Sequence, residues 1–125
     1  MNDALNAITE RVIGAAIEVH RELGPGLLES TYEAALVYEL VLQGLRVERQ
    51  KEQPVRYKGL MIETGYRIDV LVEDQVVVEL KAVDAIVPIY QAQLLTYLKL
   101  SSCRVGLLIN FNVPLLKQGI KRFVL

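Results

Sequence analysis

The sequence predicts an α/β (α+β) domain built on one central sheet. Three observations carry that expectation. Apolar residues recur at helical spacing up to Gly44, strand-like pieces fill residues 46–81, and a further helical segment leads into the apolar run "RVGLLINF". At 125 residues the chain has room for one core, so residues 1–125 are expected to form a single domain.

The first segment, Ala4 to Leu23, places Ile8, Val12, Ala15, Ala16, Val19 and Leu23 on one helical face. "GPG" at 24–26 ends it, because glycine caps a helix and proline cannot continue one. His20, near that end, suits the negative pole of the helix dipole. A second helix is expected from Leu27 to Gln43, stopped by Gly44. Strands follow at Arg46–Gln50, Pro54–Tyr57, Leu60–Thr64, Tyr66–Val72 and Val76–Lys81, on alternation and β-branched content. Pro88 opens a third helix to Leu100; "RVGLLINF" reads as a buried strand and "GIKRFVL" as a short last one.

Composition narrows the function. Hydrophobic residues are 52 % and charged residues 23 %, an ordinary globular balance. No apolar stretch reaches membrane-spanning length, and the acidic "MNDALNAITERV" lacks the apolar heart of a leader. The lone Cys103 fits a reducing cytoplasm and forbids an internal disulfide. One cysteine and one histidine leave no structural zinc site and almost no Cys–His or Ser–His chemistry. Net charge is −1, which argues against coating nucleic acid by bulk charge. Local basic runs remain: Arg46, Arg49, Lys51, Arg56 and Lys58, then Lys117, Lys121 and Arg122.

The chemistry-bearing stretch is "RIDVLVEDQVVVELKAV", residues 67–83. Alternate strand residues share a face, so Asp69 joins Arg67 and Leu71, while Glu79 and Lys81 join Val77. Solvent-facing partners in a weak ion pair are the simpler alternative, although Leu71 and Val77 suggest a covered face. On the second helix, Glu29 and Glu33 continue the stripe of Leu36 and Leu40 within an arc of about 60°. Dipole stabilisation accounts for Glu29 better than for Glu33. Clustered carboxylates repel unless a cation joins them, and oxygen-only ligands suit Mg²⁺ or Mn²⁺. Such an ion acidifies water and polarises phosphoryl oxygen, while a lysine activates the nucleophile. Asp69 and Glu79 share a side only if the loop between their strands has an odd number of residues, or a bulge intervenes. Glu73–Asp74–Gln75 provides that, with Asp74 suited to a left-handed conformation.

"ID" at 68–69 and "ELK" at 79–81 resemble the core of the PD-(D/E)XK nuclease superfamily, with isoleucine in place of the motif proline. "YEAALVYELVLQGLRVERQ" is similar to the entry helix of archaeal Holliday-junction resolvases. "QLLTY" resembles the QxxxY pattern of phage-type exonucleases and helicase-associated nucleases, and "GLLESTY" at 26–32 resembles the small GxxExxY family. The resemblance implies a restriction-endonuclease-like fold, a central mixed sheet flanked by helices, and Mg²⁺-dependent hydrolysis of nucleic acid, with DNA expected. Asp69, Glu79 and Glu33 (or Glu29) would hold the metal, and Lys81 would activate water. Gln93, Tyr97 and Tyr32 would support the site, and Arg49, Lys51, Arg56, Lys58, Lys121 and Arg122 would meet nucleic acid. So small a chain would need a second copy or a protein partner to grip a duplex. The rival expectations are a binding or interaction module that kept the scaffold without turnover, and a structural partner whose acids form a salt-bridge network.

Overall fold

The computed structural model describes residues 3–125; Met1 and Asn2, at the head of the stretch read for a leader, lie outside the described residues. Helices α1 (Asp3–Leu23) and α2 (Glu29–Leu42) come first, then strands β1 (Val47–Glu52), β2 (Val55–Tyr57), β3 (Leu60–Ile62), β4 (Arg67–Val72) and β5 (Val76–Lys81). Helix α3 (Pro88–Ser101) crosses over to β6 (Val105–Asn110), and a 3-10 turn at Leu116–Gly119 leads into β7 (Ile120–Val124). Among the described residues no helix is long and apolar enough to cross a membrane.

The predicted elements are present, with shifted ends. Helix α2 begins at Glu29 because Leu28 is extended (φ −69°, ψ 147°), and Leu27 donates its N–H to the Tyr32 hydroxyl. Strand β1 runs two residues past the expected Gln50, since Lys51 and Glu52 still pair with Ile68 and Arg67. His20 is buried, with Nε2 2.8 Å from the Val113 carbonyl oxygen, so it ties α1 to the chain before β7.

Five strands form a mixed sheet in the order β1-β4-β5-β6-β7; only β5 and β6 are parallel. Strands β2 and β3 form a separate two-stranded hairpin between β1 and β4. On one side α1 and α2 bring Val12, Val19, Leu36 and Leu40 against Val70, Val78 and Leu107. On the other, Leu94 and Leu98 of α3 cover Leu71, Val77 and Leu108. This double covering explains why β5 and β6 read as continuous apolar runs. Gly106 permits the close approach of α3, for a Cβ there would lie 2.9 Å from Leu94 Cδ1.

Between β4 and β5 the register is Val72 with Val76, Leu71 with Val77 and Val70 with Val78. The loop is therefore Glu73–Asp74–Gln75, an odd spacing. Gln75 donates its N–H to the Val72 carbonyl at 3.0 Å, and both Glu73 (φ 54°) and Asp74 (φ 55°) are left-handed. Only Asp74 was expected there. The Arg46 N–H donates to the Glu73 carboxylate at 2.5 Å, helping to hold Glu73 in that conformation.

Candidate active site

The β4–β5 ladder stops at Val70 and Val78, one step short of the acids. Continuing the register would set Asp69 opposite Glu79. Instead, the Asp69 N–H donates to Glu79 Oε2 at 2.8 Å, and the Leu80 N–H donates to Asp69 Oδ2 at 2.9 Å. Strand N–H groups lie in the plane of the sheet, so both carboxylates sit in the seam between the strands. The strict alternation expected of β4 fails here. Ile68 packs with Leu71 and Val77 on the α3 side, while Val70 stays on the α1–α2 side. A carboxylate turned into the seam interrupts the two-residue period. The solvent-facing alternative for Glu79 is also overturned, because the residue is only 9 % exposed.

Crowding marks the electrostatics. Burial pushes the Glu79 carboxyl up to about 8, with the Asp69 charge adding to it. Burial also raises Asp69 above its usual range, opposed by the Leu80 N–H and reinforced by the Glu33 charge. Helix α2 faces this seam with Glu33 buried and Glu29 at its first turn. Arg49 donates Nε–H to Glu33 Oε2 at 2.7 Å, and Gln50 Nε2 donates to Glu33 Oε1 at 2.6 Å and Asp69 Oδ1 at 3.3 Å. Gln50 reaches both from a left-handed backbone (φ 53°) directly across β1 from Asp69. Glu29 has no such partner among the described residues. Partial desolvation raises its carboxyl pKa first, then the Asp69 charge, with Lys81 opposing. The residue as a whole is exposed, so those neighbouring charges best indicate where its carboxylate faces.

Lys81 lies at the same end of β5, with Nζ 4.4 Å from the centroid of the Tyr90 ring on α3. Tyr97, further along α3, has its hydroxyl pKa raised by burial and then by the charges of Glu79 and Asp69. Gln93 is exposed and hydrogen-bonds to none of the carboxylates. Tyr32 is not brought to the cluster. Its hydroxyl donates to the Gly24 carbonyl at 2.5 Å, and its ring stacks on Phe111 with centroids 4.5 Å apart.

The expected cations separate into two groups. Arg49 pairs with Glu33, Lys51 with Glu48 at 3.0 Å, and Arg122 donates to Asn6 Oδ1 at 2.8 Å. Arg56, Lys58 and Lys121 are exposed and have no acidic partner among the described residues. Gln50 and Tyr90 were not among the expected site residues; neither has a local signal, since both meet their partners across distant segments.

Among the described residues no three His, Cys, Asp or Glu side chains converge as a set able to hold a metal ion. This corrects the expected three-acid convergence: Glu33 is occupied by Arg49 and Gln50. The donors still fit a hydrated Mg²⁺, which needs only one or two carboxylates besides water. Two adjacent acids raised first by burial, Glu79 further by the Asp69 charge and Asp69 by that of Glu33, are chemistry that a cation would relieve.

No curated protein and no solved structure matches the chain. A family model for the PD-(D/E)XK nuclease superfamily matches residues 6–123. The match runs from α1 through the seam strands to β7, and the chain therefore belongs to the PD-(D/E)XK nuclease superfamily.

Proposed function

We propose that this protein is a nuclease dependent on Mg²⁺ or Mn²⁺, hydrolysing phosphodiester bonds in DNA, and that it falls in the small GxxExxY group. The observation that carries the reading is the seam, where Asp69 and Glu79 each bind the other strand's backbone N–H beside Lys81. Asp69 and Glu79 would hold the cation with water in its remaining positions, and Glu29, the glutamate of "GLLESTY", would act on it through its charge, in preference to the ion-paired Glu33. A cation bound there would polarise a phosphoryl oxygen and lower the pKa of a water. Lys81 would orient and activate the attacking water, with its ammonium set over the Tyr90 ring. Tyr97 would border the acids, and Gln93, one turn away on α3, would meet the nucleic acid backbone.

Titration calorimetry with Mn²⁺, followed by cleavage assays on duplex, single-stranded and branched DNA and on RNA, tests the reading. Metal binding with metal-dependent cleavage supports it; absence of binding ends it. The engagement of Glu33 by Arg49 and Gln50 favours a second reading, a binding module on a nuclease scaffold, for which metal binding without cleavage is the expected result.

A further inference from the structure

Helix α2 carries its charges and its apolar residues on unusual sides. Glu33 is buried with Leu36 and Leu40, and Glu29 shares that side. The opposite arc, about 100° wide, holds Thr31, Ala34, Tyr38, Val41 and Leu42, with Leu28 beside it at the N-terminus. None carries a charge. Leu28 is 74 % exposed, Tyr38 65 %, Val41 57 % and Leu42 63 %. A surface helix ordinarily turns its charges outward, so this face is built to be covered.

We propose that a second copy of this chain covers it, in a two-fold contact of α2 against α2. Three features choose that occupant. Residues 31, 34, 38 and 41 follow the 3-4-3 spacing by which two helices interlock. The helix contains no Lys or Arg, so neither nucleic acid nor an anionic membrane surface is complementary to it. A charge-free face meets its own copy without like-charge repulsion, as an isologous contact requires. From the exposed fractions, the patch offers on the order of 500 Å² per copy, so a two-fold contact reaches about 1,000 Å², the lower range for specific association. Because Glu29 and Glu33 lie on the other side of α2, the contact leaves both carboxylate seams open, at least ~20 Å apart across two helix diameters.

Sedimentation equilibrium of the full chain, without metal or nucleic acid, tests this independently of any nuclease activity. The expected mass at roughly 100 µM is twice the 14.1 kDa of one chain, falling on dilution as a micromolar association does. The double variant Tyr38→Glu, Val41→Glu is expected to keep its helicity and to associate at least ~100-fold more weakly. If that variant lost helicity, Tyr38→Ser, which adds no charge, carries the same expectation of weakened association. Leu60→Glu, equally apolar and exposed on the β2–β3 hairpin, should remain dimeric. A monomeric wild type would give the face to a different protein and overturn the proposal. So would a folded α2 variant that stays dimeric, or a dimer dissolved by Leu60→Glu.

Discussion

Glu79 gains a partner in the Asp69 N–H but loses its water, and the loss dominates. Its folded-state pKa, about 8, lies above the ordinary value of 4.5, so between the two the folded chain holds a proton that the unfolded chain has released. Stability from this group is therefore full below about pH 4.5, falls as pH rises towards 8, and levels off above. Asp69, also raised, adds in the same direction. In chelator, denaturant unfolding should show that decline for wild type and a flatter profile for Glu79→Gln. At pH 9, Mg²⁺ should recover wild-type stability more than that of the variant; no difference between the two would remove the cation from the account. Lys81→Ala is expected to keep the fold and most of the metal affinity while cleavage falls by about a hundredfold or more. Equal activity would trace the nuclease signal to another protein. Tyr90→Leu should lower cleavage several-fold, the scale of one cation–π contact. Asp69, Glu79 and Lys81 stood out in the sequence as charges inside apolar strand runs, although the seam that takes the two acids breaks the strict alternation. Arg49, Gln50 and Tyr90 did not, since nothing in a local pattern says that β1 crosses over α2's glutamate or that α3 starts above Lys81.

At the scale of elements, parity decides whether a site exists. A two-residue turn would have put Asp69 and Glu79 on opposite sides of the sheet, and the three-residue loop Glu73–Asp74–Gln75 unites them. That much follows from counting. The end of the ladder at Val70 does not, because it depends on two side chains taking the place of backbone acceptors. Replacing Glu73–Asp74–Gln75 with Asn-Gly, the preferred two-residue turn, should shift β5 by one residue. Strand β5 is apolar on both sides up to Glu79 and can tolerate the change of face, at a cost of ~1–3 kcal/mol. The variant should keep its circular dichroism and lose the heat of Mn²⁺ binding. Wild-type cleavage from a two-residue loop would show that register does not build the site.

For the whole molecule, a net charge of −1 gives no general attraction to DNA, so the DNA binding proposed above would have to come from cations that remain unpaired. Composition located the basic runs but not their partners: Arg49, Lys51 and Arg122 are held within the fold. The β2–β3 hairpin carries Arg56 and Lys58 out from the end of β4 that bears Asp69. Lys121 pairs with Leu108, which itself pairs with Glu79, so it stands two strands from the acids, ~10 Å away. Free cations thus lie on both sides of the seam. Two backbone phosphates held there would bring the bond between them towards Lys81. Fluorescence anisotropy with duplex DNA in Ca²⁺, over a series of salt concentrations, can apportion this. Removing Arg56 and Lys58 together should weaken binding and reduce the logarithmic salt slope by about 2, and Lys121→Ala by about 1. Lys51→Ala and Arg122→Ala should leave the slope within error. If the paired cations proved to set the slope instead, the DNA path would not run over the unpaired cations beside the seam.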